Sequence, residues 1–449
     1  MNDLLPEDEA LWQHVIDTAT RVARSFDYHL IRTPIVEDQG VFLRTVGDDS
    51  DIVSKEMYLF EDRGGGRLAL RPEGTAAVCR AYLEHGMASR PQPVRLFYWG
   101  PFFRYDRPQA GRYRELFQFG VECIGDASPA ADVEVIELQR AIYEALGLTD
   151  LVLRINSIGT AETRHRYEAV LREHFRPHLE GLSGDSQRRF DTNVLRILDS
   201  KEDAGHPAVL GAPSILDHLS PEDLEHWEGV QALLRGLEVP FEVDTRIVRG
   251  LDYYAHTVWE FEPKPLGRGE VAGAVSGDLS SARSSTEMLD ALAVRGTRGP
   301  RTEAVVGSQG TVGAGGRYDG LIESLGGPHT PGTGWATGID RVMLNLRRQD
   351  IDGPIRALDA VTVPLGEAGA VAAARLASAL RAAGLSVRNG TPGRSMRAQL
   401  RSADASGARF ALIVGDREAA EGVVQVKPLD GGEQRELRLD EVVGALGGD

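Results

Sequence analysis

Two cysteines, Cys79 and Cys123, are all that 449 residues provide. Two thiols cannot build a disulfide framework or a zinc cluster, so a reducing compartment is expected. No stretch reaches the roughly 18 uninterrupted apolar residues that a membrane span needs. The opening residues, Met1-Asn2-Asp3-Leu4-Leu5-Pro6-Glu7, carry neither a basic cluster nor an apolar run. A secretory signal or transit peptide is therefore not expected there, and a cytoplasmic location is. Basic charge is in deficit: 50 Lys and Arg against 67 Asp and Glu give a net charge of −17. That argues against general coating of nucleic acid, although a local basic surface is still allowed. Aromatic residues are absent between Phe261 and Tyr318.

The aromatic gap has a structural meaning. Residues 263–306 are rich in Gly, Ser, Ala and Arg, and cannot bury enough apolar surface to offset their ordering entropy. They read as a surface insertion, with a short helix expected near Ser285 to Ala293. Over the whole chain 42% apolar and 26% charged residues describe a soluble globular protein, and its length predicts two or three domains.

Leu11, Val15, Ala19 and Val22 fall on one stripe of an amphipathic helix over 7–26. A strand then closes at Thr33-Pro34. Residues 68–125 alternate short strands with a helix over 74–84. A helix over 130–147 and a strand over 151–156 follow. Residues 160–236 have mostly helical periodicity, and strand character returns at 241–247 and 257–262. Beyond a linker at 349–354, strands at 360–363, 386–388, 410–414 and 423–426 alternate with helices at 368–383, 395–404 and 441–446. That pattern predicts a small separate α/β domain. Its stretch from Arg375 to Arg417 holds eight arginines against two acids, Asp404 and Asp416. This is either a phosphate-contact surface or a solvated helix face.

Three segments carry chemistry. The first is Phe103-Arg104-Tyr105-Asp106-Arg107-Pro108 with Gly111-Arg112-Tyr113-Arg114, which crowds four arginines around a turn. Such arginines repel one another unless anions lie between them, and a triphosphate provides these through charge-assisted contacts. A solvated basic hairpin is the plainer alternative. The strand Phe117-Gln118-Phe119-Gly120-Val121-Glu122 follows and puts Gln118 and Glu122 on one face. Together with Glu73 they suit an imidazole and an ammonium group, though each carboxylate taken alone is a plausible ion-pair partner. The second segment, Val248-Arg249-Gly250-Leu251-Asp252-Tyr253-Tyr254, joins a cation, a carboxylate and two phenols. The third runs from Gly315-Gly316-Arg317-Tyr318-Asp319-Gly320 to Gly334-Trp335-Ala336-Thr337-Gly338-Ile339-Asp340-Arg341. A kinase or dehydrogenase reading would need a Gly-rich loop between a strand and a helix; Gly310 to Gly320 has the glycines, but no lysine follows in the required place.

Taken together these segments resemble the histidyl-tRNA synthetases, a family of class II aminoacyl-tRNA synthetases, over residues 2–446. The resemblance implies an α/β multidomain protein. An antiparallel-sheet catalytic domain with flanking helices would occupy 1–159 and 237–348, with a helical insertion at 160–236. An α/β anticodon-binding domain would occupy 355–449. It implies that Arg249 and Arg104 are catalytic and that Arg104, Arg112 and Arg341 bind ATP with Mg2+. Glu73, Gln118, Glu122, Tyr253, Tyr254 and Tyr318 would line the histidine pocket. Arg397 and Gln399 would face tRNA-His, with Arg196 and Lys201 as further unspecific contacts. A homodimer is implied through a motif around Arg32-Thr33-Pro34. No set of metal ligands is assigned.

Three positions depart from the family pattern. Asp106 and Asp340 stand where the family has glutamate, and Leu116-Phe117 where it has Phe-His. Position 116 shares a strand face with Gln118, so the ring that stacks on adenine is missing from that face, and weaker ATP binding is expected. The alternative function is a non-catalytic, histidine-sensing regulatory subunit of ATP phosphoribosyltransferase. Such paralogues typically lack the anticodon domain and lose active-site arginines, whereas this chain has both.

Overall fold

The computed structural model describes residues 3–46, 56–106, 113–248, 253–264, 310–354 and 358–446. Arg112, Arg249 and the helix expected near Ser285 to Ala293 lie outside the described residues. The chain divides into two compact units, Met1–Gly353 and Pro354–Asp449.

The described residues of the first unit contain eleven strands: β1 (His29–Leu30), β2 (Val36–Asp38), β3 (Tyr58–Glu61), β4 (Arg67–Leu70), β5 (Val94–Phe103), β6 (Glu115–Ile124), β7 (Leu151–Ser157), β8 (Glu242–Val243), β9 (Ala255–Pro263), β10 (Gly313–Arg317) and β11 (Gly332–Gly338). Eight form one sheet in the order β1-β5-β6-β11-β10-β9-β7-β8. Its interior pairs are antiparallel, and only the outer pairs β1/β5 and β7/β8 are parallel. The remaining three make a small sheet, β2-β4-β3.

The period of two along β6 decides what each face of the large sheet does. Phe119, Val121 and Cys123 turn into the main core, against the helices Pro6–Ser25, Pro129–Ala145 and Ile339–Arg348. Gln118, Gly120 and Glu122 turn to the other side. A buried polar chain pins Pro129–Ala145 to the back of the sheet. Trp259 Nε1 donates to Gln139 Oε1 (2.8 Å), Gln139 Nε2 to the Tyr143 hydroxyl (3.0 Å), and that hydroxyl to Thr337 Oγ1 (2.9 Å). Buried polar groups paired in this way avoid the desolvation cost of an unmet donor.

Residues 160–236 are helical as expected, with Ala161–Phe175, Gly184–Thr192, Pro207–Leu210 and Pro221–Gly236 as α-helices. They have their own core of Tyr167, Leu171, Phe175, Phe190, Val194 and Ile197, which Ile247, Val248, Tyr254 and Val258 join. The strand expected over 241–247 is cut to two residues. Asp244 accepts from the Arg246 N–H and the Asp244 carbonyl from Ile247 N, so a turn ends the strand early. The strand expected to close at Thr33-Pro34 likewise pairs only at His29 and Leu30. The helix Gln39–Val46 and the β3–β4 hairpin were not expected.

The second unit holds β12 (Ala360–Pro364), β13 (Val387–Arg388), β14 (Phe410–Val414), β15 (Val423–Pro428) and β16 (Arg435–Arg438), in the order β13-β12-β14-β15-β16. The first three are parallel and the rest antiparallel. Every residue of β12 is buried, as a central parallel strand covered on both faces requires. Ala360, Leu412 and Val414 pack on one face with the helix Glu367–Ala382. Val361, Val363, Ala411 and Ile413 pack on the other with Met396–Asp404. The helix Asp416–Glu421 and strand β16 go beyond the sequence reading. No helix among the described residues is long and apolar enough to cross a membrane.

Candidate active site

A cavity of about 320 Å3 opens on the face of the large sheet that Gln118 occupies. Among the expected residues it brings together Glu73, Arg104, Gln118, Tyr253, Tyr254 and Arg341. They arrive from the loop before the helix Thr75–Glu84, from the turn just after β5, from β6, from the segment before β9, and from the helix after β11.

Part of the lining is acidic and phenolic. Glu73 accepts from the N–H groups of Thr75 (2.6 Å) and Ala76 (3.0 Å), at the N-terminus of the helix Thr75–Glu84. Burial raises its pKa, and those two bonds with nearby Arg104 oppose the shift. A carboxylate has about four acceptor positions, so the cap leaves capacity for an ammonium group. Tyr254 lies over Gly316, where a Cβ would sit 2.6 Å from its ring, and its ring centre is 4.7 Å from that of Tyr253.

The same cavity also holds two arginines. Arg104 Nε donates to the Pro72 carbonyl (2.8 Å), which fixes the guanidinium beside the Glu73 loop. Arg341 Nη1 donates to the Thr311 carbonyl. Leu116 lines the cavity with Gln118, while Phe117 points away and packs edge-on against Trp12. An aliphatic side chain therefore stands where the family has a ring, and Phe117 does not replace it. Asp340 lines the same region, and burial raises its pKa.

Glu122 and Tyr318 require a correction: neither reaches the cavity wall. Both are fully enclosed, and the Tyr318 hydroxyl donates to Glu122 Oε2 (2.6 Å). Glu122 Oε1 accepts from Thr75 Oγ1 (2.7 Å) and the Tyr98 hydroxyl (3.2 Å). Strand parity places Glu122 on the same face as Gln118 but cannot say how deep it lies. Thr75 and Tyr98 do line the cavity, as do Glu260 and Thr311. The sequence reading named none of these four. Two glycines make room for Tyr98, since Gly120 stands opposite it and Gly74 beside it. A Cβ at either glycine would come within 2.5 Å of the Tyr98 ring.

The tRNA candidates fare unevenly. Arg397 is exposed on the helix Met396–Asp404. Gln399 is buried, with Nε2 donating to the carbonyls of Pro364 and Arg394, both at 3.0 Å. It ties its helix to the end of β12 and offers no donor to solvent, which corrects that expectation. Arg196 is half-buried with its Nε 3.4 Å from Asp199, whereas Lys201 is exposed.

The histidyl-tRNA synthetase family model matches residues 1–262, and the anticodon-binding-domain model matches residues 359–448. A histidine–tRNA ligase of Dehalococcoides mccartyi is 42% identical over 98% of this chain and 96% of its own length. One of Geobacillus thermodenitrificans is 43% identical over 99% and 96%. The crystal structure of apo histidyl-tRNA synthetase from Staphylococcus aureus superposes with a TM-score of 0.75 at 33% identity, covering 99% of this chain and 98% of that one. With a family model matching more than half of its length and relatives above 40% identity over nearly all of it, the chain belongs to the histidyl-tRNA synthetase family.

Proposed function

We propose that this chain is a histidine–tRNA ligase. It joins histidine to ATP, giving histidyl-adenylate and pyrophosphate, and then passes histidine to the terminal ribose of tRNA-His. The observation that carries this reading is that one cavity holds Glu73, Gln118 and Tyr254 together with Arg104 and Arg341.

The chemistry asks little of proton transfer, because the histidine carboxylate is already a nucleophile. The demand is electrostatic, since charge builds on phosphate oxygens during in-line displacement. Arg104 supplies a fixed cation and Arg249 supplies a second at the α-phosphate. Arg341 and Arg112 hold the distal phosphates. Glu73 and Gln118 take the ammonium group, while Glu122 acts through Thr75 and Tyr98, which it aligns. Glu260 and Thr311 line the cavity with oxygen donors and would hold Mg2+ beside the nucleotide, where the ion would neutralise phosphate charge. Among the described residues no group of three or more His, Cys, Asp or Glu could hold a metal by itself.

The active form is a cytoplasmic homodimer, and the C-terminal unit, with Arg397 exposed, takes the anticodon loop of tRNA-His. Single-stranded loops present base edges that arginine can reach. The alternative, a histidine-sensing regulatory subunit, is disfavoured by that unit and by the arginines in the cavity. Pyrophosphate exchange into ATP with each amino acid in turn decides between them. Exchange that requires histidine and collapses in Arg249→Ala is expected, whereas histidine binding without exchange would establish a sensor.

A further inference from the structure

The segment that carries Tyr253 and Tyr254 is held at its two ends by β7 and the turn after it, and between them by the first helix of residues 160–236. On its entry side, Asn156 Nδ2 donates to the carbonyls of Ile247 (3.1 Å) and Thr245 (3.4 Å). On its exit side, His256 exchanges both backbone bonds with the turn that follows β7. Its N–H donates to the Gly159 carbonyl and its carbonyl accepts from Ile158 N, both at 2.8 Å. His256 sits at φ +49°, a left-handed conformation that a non-glycine residue keeps only when its surroundings impose it. Between these anchors Arg164, from the helix Ala161–Phe175, donates through Nη1 to the Tyr254 carbonyl. The Tyr254 ring is buried in the core that Tyr167 and Leu171 of the same helix build.

We propose that the helical insertion is a positioning clamp for the tyrosines of the cavity, and that Arg164 is the positioning residue through which it acts. The proposal rests on the ligase reading only for the name of the ligand it positions. A charge-assisted bond to a main-chain carbonyl fixes the backbone that aims the ring, and small misplacements of a binding group weaken catalysis disproportionately. The effect falls on the histidine side. The arginines at the nucleotide side are anchored elsewhere, Arg104 on the Pro72 carbonyl and Arg341 on that of Thr311.

The test uses the full chain with Arg164→Ala, Arg164→Lys and, as a control on the same helix, Arg166→Ala. Among the described residues Arg166 pairs along its own helix, with Glu162 and Thr163. In pyrophosphate exchange, Arg164→Ala is expected to raise the KM for histidine on the order of tenfold while the KM for ATP stays within about twofold. Lysine keeps a cationic donor and should recover part of the loss, and the control should match the parent chain. Equal histidine KM values in folded Arg164→Ala and parent protein would overturn the proposal, as would equal losses for histidine and ATP. A second readout needs no substrate: amide hydrogen exchange over residues 254–258 should quicken in Arg164→Ala and return toward the parent rate in Arg164→Lys. Unchanged exchange there would overturn the clamp even if the chain activates histidine. A parent chain without histidine-dependent pyrophosphate exchange would overturn the ligase reading, and hydrogen exchange would then decide the clamp alone. If Arg164→Ala fails to fold, Arg164→Lys and Arg164→Gln carry both measurements.

Discussion

Glu122 shows how one side chain sets conditions for a whole site. Its carboxyl has no exposed surface, so burial pushes its pKa up to about 8 even with hydroxyls of Tyr318, Thr75 and Tyr98 donating to it. The folded state therefore holds this proton more tightly than the unfolded chain, whose carboxyl titrates near 4.5. Its contribution to stability is complete below that value and is lost as pH rises to about 8. Glu122→Gln should flatten this part of the Tm-versus-pH profile, and a profile parallel to the parent would place the proton elsewhere. Gly334 is bound to the same carboxylate by space. A Cβ there would lie 2.1 Å from Glu122 Oε2 and 2.4 Å from the Val121 carbonyl. Gly334→Ala should cost on the order of 3 kcal/mol in urea unfolding, the scale of an overpacked core. Leu116 makes the opposite prediction. Restoring a ring with Leu116→Phe should lower the KM for ATP severalfold through stacking on adenine, and an unchanged value would count against the missing-ring account.

Among secondary-structure elements, the connection that matters most is made by Asp132 on the helix Pro129–Ala145. Its carboxylate meets Arg317 at the end of β10 (2.8 Å), His226 Nε2 on the helix Pro221–Gly236 (2.7 Å) and Thr257 Oγ1 on β9 (2.7 Å). Burial opposes the charge, but Arg317 and His226 outweigh it and hold the pKa below the usual carboxylate range. Arg317, fully buried, also donates to Asp319 and to the carbonyls of Asp126 and Ser128. Removing one partner of a buried pair strands the other charge. Asp132→Asn should therefore cost about 3–5 kcal/mol, measured by chemical denaturation. The element pattern around this cluster was readable beforehand, because period-two and period-3.6 stripes depend on residues close in the chain. The truncation of β8 was not, since the Asp244 turn competes locally with strand pairing and prevails.

For the molecule as a whole, the units Met1–Gly353 and Pro354–Asp449 each have separate apolar cores. The second should fold by itself, giving a cooperative melt, because each face of its sheet is covered by its own helices. A chain ending at Gly353 should retain histidine-dependent pyrophosphate exchange while losing charging of tRNA-His at concentrations that saturate the full chain. Residue order was enough to read the class of chemistry, the succession of elements and the face on which Gln118 and Glu122 lie. These follow from residue types and short-range periodicity, which act through covalent neighbours. Packing alone put Glu122 and Tyr318 behind the cavity wall and Thr75 and Tyr98 on it, turned Gln399 inward, and brought the helices of 160–236 onto the Tyr254 backbone. Depth and long-range partnership depend on which distant surfaces pack together, and no local pattern in the chain encodes that choice.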